Sequence, residues 1–332
     1  NAGFMNLSDF TQSNCKHFSC PGRSVSFVYV LLCMCGAAMV LLTVCGNLLV
    51  IISVLHFKQL HTPTNTLVLS LAVSDFLVGA LVMPTVFVWR IESCWIFGTG
   101  FCISFWLTAG FLMLLSIYNV ALIAVDRYLA LSNPFFYMQT ISRRTMCIVV
   151  YCNWSVCLVY SLAFCYINVI LRDIVICPGE CSLSVNEHWF IIDLVISFIF
   201  PLSVIIILYS LVFLIAKKHA TAIRELNNHT RPQTQKITSH SMKSERKAAK
   251  VLGILVSVFL VFLLPYFIYS LLGDVIGPNL ETLQTVLIMG HLNSTINPFI
   301  YALFYPWFRR CFKLIITLQI FHADSALINI LS

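Results

Sequence analysis

Charged side chains are scarce in this sequence. Asp, Glu, Lys and Arg make up 10% of its 332 residues, while hydrophobic residues make up 59%. A soluble globular domain typically contains about 25% charged residues, because its surface must be hydrated. The shortage of charge therefore excludes an ordinary soluble protein of this size and predicts a membrane protein.

Long polar stretches are also few, and the apolar residues fall into separate blocks. Seven blocks are long enough to cross a bilayer as a helix, which takes about 20 residues. The blocks lack the alternating pattern of membrane barrel strands, and lipid offers the backbone no hydrogen-bond partners. We therefore predict an all-α membrane protein, a seven-transmembrane helix bundle with a short amphipathic eighth helix. The predicted spans are Ser26–Leu55, Asn65–Trp89, Gly100–Leu131, Cys147–Ile167, Trp189–Ile215, Val251–Leu272 and Thr282–Phe304.

Basic residues are rare on one side of the predicted bundle. With the N-terminus outside, only four of the 20 Lys and Arg residues lie on the outer side. The positive-inside rule favours this orientation in the plasma membrane. It makes residues 1–25 extracellular, with a glycosylation sequon at Asn6, and residues 26–304 the bundle. Residues 305–332 then form the eighth helix and a cytoplasmic tail.

The segment 217–250 lacks the large apolar residues needed for a core of its own and is rich in Lys and Arg. We predict that it forms the third cytoplasmic loop and the base of the sixth helix. Two interpretations of its charge stay open, contact with anionic membrane lipid and docking of an acidic partner. No nucleic-acid motif accompanies the charge, so no nucleic-acid partner is expected.

Ionisable residues are almost absent from the spans themselves. Because a charge is costly to bury in lipid, each one that does occur is a candidate functional residue. Neutral polar residues accompany them in the second, third and seventh spans. The ionisable residues are Asp75, Asp126, Arg127, Asp193 and His291.

Several different short motifs occur in the spans, in the order that a known class of receptors shows. On these motifs the chain resembles the rhodopsin-like (class A) G-protein-coupled receptors. The end of the seventh span, "NSTINPFIYALFYPWF", and the first loop, "LHFKQLHTPTN", are similar to those of trace amine-associated receptors. The class motifs are "GNLLV" around Asn47, "LAVSD" ending at Asp75, "CWIFG" before Cys102, "DRYLAL" from Asp126, Trp154, Pro201, Pro265, and "NPFIY" from Asn297 to Tyr301.

The resemblance implies a receptor that is activated by an amine. It further implies olfactory sensory neuron cilia as the location, a stimulatory heterotrimeric G protein that raises cAMP, and arrestin and a receptor kinase as further partners. Two alternatives stay open: an aminergic receptor of the neurotransmitter type, and a proton-coupled transporter. The transporter would require internal repeats, and we see none.

One residue expected of amine receptors is missing. Such receptors usually carry the ammonium-binding Asp at the position of Ala109, and no carboxylate occurs between Trp95 and Val125. Asp193 lies eight residues before Pro201, about 12 Å nearer the outer face. Some fish trace amine-associated receptors are similar in carrying their amine-binding Asp at this place. We therefore expect Asp193 to bind the ligand; the alternatives are a protonated structural acid and an ion pair with His291.

The family's cavity suggests further residues around the ligand. His291 could contact it, which would suit a diamine or an amino alcohol, or could be a satisfied hydrogen-bonding residue of the fold. Each aromatic residue among the others could equally serve packing alone. The expected lining is Trp106, Ala109, Gly110, Met113, Ser197, Tyr266, Phe267, Ser270, Leu287 and His291.

The resemblance also implies a core site for sodium and a switch for the G protein. No other cofactor is expected, and a water-filled hydrogen-bond network is the alternative to sodium. Where the class has Cys-Trp, the sixth span has Phe262 and Leu263, so Phe259, Ile117 and Pro201 would contribute more to activation. The implied sodium residues are Asp75, Ser116, Asn293, Ser294 and Asn297. The implied switch residues are Asp126, Arg127, Tyr128, Pro134, Phe135, Glu245 and Tyr301, with Arg127 and Glu245 forming an ionic lock.

The cysteines complete the set of expectations. The resemblance implies a disulfide from Cys102 to Cys181 and a second from Cys177 to either Cys15 or Cys20. Cys311 is a candidate palmitoylation site. The seventh span has no Lys for a retinal Schiff base, and no nucleophile or metal cluster indicates an enzyme.

Overall fold

The structure is a computed structural model that describes residues 20, 26–171, 179–181, 187–227, 253–254, 256–272, 279–304, 306–322 and 325–330. Four of the predicted functional residues lie outside the described residues. They are Asn6, Cys15, Cys177 and Glu245.

Helices occupy all seven predicted positions. Within the described ranges, five are long and apolar enough to cross a membrane, and the sixth span is a shorter apolar helix. Many of their apolar side chains are exposed, as expected for helices surrounded by lipid. The spans are Phe27–His56, Pro63–Glu92, Thr99–Ser132, Arg143–Ile170, 187–227, Val256–Leu272 and Leu280–Phe304.

Side-chain caps mark where three of the spans begin. The hydroxyl oxygens of Ser26, Thr62 and Ser142 each accept a hydrogen bond from a backbone N–H three residues later. Such a cap satisfies one of the donors that the first turn of a helix leaves unpaired. Pro63 follows Thr62 at the first helical position, where its missing N–H costs nothing.

The third span lies at the centre of the bundle. It packs against the second, fourth and fifth spans, while the seventh span packs against the first and second. Polar contacts also join the first and seventh spans. The Oγ1 atoms of Thr43 and Thr295 are 2.7 Å apart, and the Asn47 amide donates to the Ser294 carbonyl over 3.0 Å.

A π-helical turn interrupts the fifth span at Val195–Ile199, between Asp193 and Pro201. The second and fourth spans contain similar turns at Val78–Val82 and Tyr166–Ile170. A π turn changes how residues before it are oriented relative to residues after it, and such turns are frequent at functional sites. The side on which Asp193 emerges is therefore set by this turn as well as by regular helical spacing.

Two disulfides lie at one end of the bundle, which we call the disulfide end. One joins Cys102 to Cys181, with Cα atoms 5.6 Å apart, and beside it Trp95 pairs with Gly179. The other joins Cys20 to Cys94. The alternative in which Cys20 bonds to Cys177 is therefore wrong, because Cys20 lies against the end of the second span.

The opposite end carries the Asp126-Arg127-Tyr128 motif, and we call it the DRY end. There a short helix that the sequence analysis did not predict, Pro134–Thr140, follows the third span. The Asn133 side chain caps it by accepting from the Phe136 N–H over 3.2 Å. Pro134 and Phe135 lie in this helix, and Phe135 is exposed.

The predicted eighth helix is present at Pro306–Ile316. Beyond it, the chain folds back onto the loop that follows the first span. The His56 Nε2 and Ser325 Oγ atoms are 2.9 Å apart, and the Ile330 N–H donates to Gln59 Oε1 over 3.1 Å. Ile330 packs with Cys311 in one buried cluster.

This contact disfavours the predicted palmitoylation of Cys311. Cys311 is fully buried between Phe57, Leu60 and Ile330. Burial raises the pKa of the Cys311 thiol to about 11, so the reactive thiolate is rare at neutral pH. A fatty acid could reach the sulfur only after the chain around Ile330 moves away.

Displacing Ile330 should expose the Cys311 thiol. Ile330 is 2% exposed and Ile328 is 38% exposed. We expect Ile330→Asp to undock the segment, because a buried unpaired carboxylate is costly, and to increase maleimide labelling of Cys311 several-fold. Peptide mass spectrometry of the labelled receptor measures this. Ile328→Asp is the matched control, and equal labelling of both variants would contradict the packing described here.

Candidate functional site

Asp193 lies on the fifth span among hydrogen-bond donors. Its Oδ1 atom accepts from the Ser197 hydroxyl over 2.8 Å and from the Tyr160 hydroxyl over 2.9 Å. No residue that the structure describes donates to Oδ2. The carboxylate is therefore held from the fourth and fifth spans, with one oxygen available to a ligand.

Aromatic rings lie next to this carboxylate along the chain and in space. Phe198 stacks on Phe267 with ring centroids 4.0 Å apart, and Tyr266 meets Phe267 edge to face. Leu194, beside Asp193, packs in the same hydrophobic cluster. Ser270 is half-buried one turn beyond Tyr266 on the sixth span. Ser197 contacts Asp193 directly, and Tyr266 is close enough to interact with it electrostatically, while Phe267 packs against Phe198 and Tyr266.

The wall at Ala109 is apolar. Ala109 is buried in a cluster with Leu287, and Trp106 packs against the same cluster. The Trp106 Nε1–H donates to the Cys181 carbonyl over 3.3 Å, which connects the third span to the disulfide end. Gly110 differs from the other predicted lining residues: it is exposed, and a Cβ there would meet no atom within 4 Å.

His291 does not pair with Asp193. Its Nδ1 atom is 2.6 Å from the Leu287 carbonyl, and its Nε2 atom is buried without a partner among the described residues. The alternative in which Asp193 forms an ion pair with His291 is therefore wrong for this conformation. His291 instead lines a small cavity with Met113 and Ser116.

Asp75 lies at the centre of a second polar site. The side chain is fully buried, with Oδ1 accepting from the Ser294 hydroxyl and Oδ2 from the Asn297 amide, each over 2.7 Å. Ser116 and Asn293 are also buried, and the Ser116 hydroxyl has no partner among the described residues. The site offers one carboxylate and several neutral oxygens, a donor set that suits a hard cation.

Asp126 at the DRY end is buried and has several partners. Its oxygens accept from the Tyr137 hydroxyl over 2.7 Å and the Thr64 hydroxyl over 2.9 Å. Arg127 pairs with the same carboxylate. Burial raises the pKa of Tyr137 above its ordinary value, so this hydroxyl stays protonated as a donor at neutral pH.

The sequence motifs indicated Asp126 and Arg127 but not the two hydroxyls that hold the carboxylate. Thr64 lies in the quoted first-loop stretch and Tyr137 lies in no quoted motif, and nothing in the sequence around either residue indicates a contact with Asp126. Tyr128 is half-buried, while Tyr301 is buried with its ring edge to face with Phe308.

The sixth span has Leu263 where the class usually has Trp, and the structure buries this residue. Phe259 is buried with Ile117 and Ile205 in one cluster between the third, fifth and sixth spans. Pro201 is buried as well. Around Leu263, between the disulfide end and the DRY end, the spans therefore pack through aliphatic and phenyl side chains.

Comparison with known proteins agrees with this architecture. Residues 46–301 match the family of seven-transmembrane receptors of the rhodopsin family. The chain is 39% identical over 289 residues to trace amine-associated receptor 13c of Danio rerio, covering 84% of this chain and 83% of the relative. It is 41% identical over 291 residues to trace amine-associated receptor 6 of Pan troglodytes, covering 85% and 84%.

These matches confirm the predicted fold, a seven-transmembrane bundle, and they extend over most of both chains. They also exclude the enzyme interpretation, because the matched family consists of receptors. By its family match and by its similarity to these relatives, the chain belongs to the trace amine-associated receptors, which are G-protein-coupled receptors of the rhodopsin family.

Proposed function

We propose that this receptor is activated by an amine whose ammonium group binds Asp193. The observation that carries the proposal is a carboxylate whose Oδ1 atom is held by Tyr160 and Ser197, while its Oδ2 atom receives no donor from the part of the chain that the structure describes. The apolar surroundings of Ala109 support the same assignment, since they offer an ammonium group no counter-ion. The names of the relatives, trace amine-associated receptors, agree with an amine ligand.

The surroundings of Asp193 suit an ammonium group for two reasons. A carboxylate and an ammonium attract strongly where water is excluded, and the hydrogen bonds between them are charge-assisted. The faces of Tyr266, Phe267 and Phe198 add a cation–π attraction of about 0.5–2 kcal/mol. Because Tyr160 and Ser197 already orient the carboxylate, ligand binding loses little conformational entropy in ordering it.

Binding at Asp193 acts on the fifth span. The Tyr118 hydroxyl of the third span donates to the Ile196 carbonyl over 3.0 Å, inside the π turn that follows Asp193. A ligand that moves Asp193 therefore also strains the contact between the third and fifth spans. The cluster of Phe259, Ile117 and Ile205 then transmits the displacement of the fifth span toward Arg127 and the G protein.

We assign the disulfide end to the outside and the DRY end to the cytoplasm. Disulfides form in oxidising compartments, and the excess of Lys and Arg lies at the DRY end. A G protein of the stimulatory type would then raise cAMP, with arrestin, a receptor kinase and anionic lipid acting at the same end. The olfactory role follows from the sequence resemblance.

The fully buried Asp75 is assigned as a sodium site. The oxygens of Asp75, Ser116, Ser294, Asn293 and Asn297 would hold the ion, and the buried Asp75 carboxylate is the charge that would attract it. Bound sodium would supply positive charge that stabilises this carboxylate. Because these residues lie on the second, third and seventh spans, shared contacts with an ion would favour the arrangement in which the three helices stay close.

Asp193→Asn tests the amine site. The variant keeps the size of the side chain but removes its charge, so we expect the amine concentration for half-maximal cAMP to rise about 30-fold or more. Tyr160→Phe retains the charge and removes one hydrogen bond, so its rise should be smaller. A cAMP reporter assay at matched surface expression measures both. Equal potency of amines on Asp193→Asn and wild type would refute the proposal.

Asp75→Asn tests the sodium site. In membranes carrying the wild-type receptor, replacing sodium chloride with choline chloride should raise amine affinity by about 5-fold or more, the usual scale of coupling between sites. The variant should bind the amine with the same affinity in both salts. Ser294→Ala, which leaves the carboxylate, should retain part of the effect. A wild-type affinity that does not respond to sodium favours the water network instead.

A further inference from the structure

A small cavity lies between the second, third, sixth and seventh spans. Its lining includes Met113, Leu263, Gly290 and His291, together with Ser116, Asn293 and Ser294 of the proposed sodium site. The cavity has room for about one water molecule. That is also the room needed for one hydroxyl group.

His291 lines this cavity and carries a hydrogen-bond acceptor. A carbonyl oxygen only accepts, so the Nδ1 atom, 2.6 Å from the Leu287 carbonyl, must carry the proton. In the neutral ring the Nε2 atom is then an acceptor. This Nε2 atom is buried without a partner among the described residues, and His291 as a whole is 4% exposed. Leaving a buried acceptor unpaired is unfavourable, so a donor group on a ligand would stabilise the site.

Small side chains create the space. Gly290 has no Cβ, and a Cβ added there would lie 3.6 Å from both Leu263 and Met113. Met113 also packs against the cluster that contains Phe267. Methionine is flexible and adapts to irregular shapes, so Met113 can move to admit a ligand chain.

Resting on the amine proposal, we infer that this cavity holds the far end of the ligand, and that the receptor prefers an amino alcohol to a diamine. A hydroxyl there would donate to His291 Nε2. A second ammonium group would be buried beside no lining carboxylate. The nearby Asp75 already accepts from Ser294 and Asn297 with both of its oxygens.

The test compares three ligands of equal chain length in the cAMP assay: a linear monoamine, the ω-hydroxy amine and the α,ω-diamine, over a range of lengths. On the wild-type receptor, we expect the amino alcohol of the best length to be about 5-fold or more potent than either of the others, the scale of one hydrogen bond. The chain length of the most potent amino alcohol also indicates the distance between Asp193 and His291.

Two substitutions of His291 separate hydrogen bonding from packing. His291→Leu removes the acceptor and should abolish the preference for the amino alcohol over the monoamine. His291→Gln retains an acceptor oxygen and should keep part of the preference. A merely structural His291 would change all three ligands alike, and the potency ratio would stay constant.

Gly290→Ala tests the cavity without touching the acceptor. The added methyl group meets Leu263 and Met113 at ordinary contact distance, so the variant should fold. It should reduce the potency of the amino alcohol more than that of the monoamine, because the space for the hydroxyl is smaller.

The outcomes distinguish this inference from the amine proposal. A wild-type preference for the diamine, or a hydroxyl preference that survives His291→Leu, overturns the inference. If the monoamine and the amino alcohol are equally potent at every length, the cavity holds water only and the inference is wrong. In each of these cases Asp193→Asn still abolishes the amine response if the amine proposal is correct.

Discussion

The cost of placing a charge inside a membrane governs the arrangement of this receptor's polar residues. Asp75, Asp126 and Asp193 each accept hydrogen bonds from side chains on other spans or loops. Since an ionised carboxylate without partners is very unfavourable in lipid, these bonds also hold the helices in register. Asp193 differs from the other two carboxylates, because one of its oxygens receives no donor from the described residues. We propose that the amine binds at this remaining carboxylate oxygen.

Composition and motifs predict the spans because crossing a bilayer requires a long apolar run, and each predicted span lies on a helix of the structure. They could not predict partners that become neighbours only after folding. Tyr160, which donates to Asp193, and Tyr137, which donates to Asp126, resemble any other tyrosine in the sequence. The bond between Cys20 and Cys94 had no signal in the cysteine spacing. The π turn after Asp193 likewise changes which residues share a face.

This receptor differs from the class pattern at two positions. Together the two differences suggest that its ligand contacts lie on other spans than is usual in the class. Ala109 removes the usual charge from the third span, and Leu263 removes the usual ring from the sixth. The first change leaves no carboxylate at the usual position, and we propose Asp193 as the counter-ion instead. The second change places Leu263 beside a small cavity that His291 also lines, and the Nε2 atom of His291 is buried without a partner among the described residues. A ligand reaching from the fifth span to the seventh would connect two walls that both take part in activation.

The segment that folds back over Cys311 has a consequence for how the receptor sits at the membrane surface. The terminal helix is attached to the bundle through Phe57, Leu60 and Ile330. Contacts within the protein therefore help to fix the position of this helix relative to the bundle. An acyl chain on Cys311 would have to displace the segment around Ile330, so acylation and docking of this segment would exclude each other.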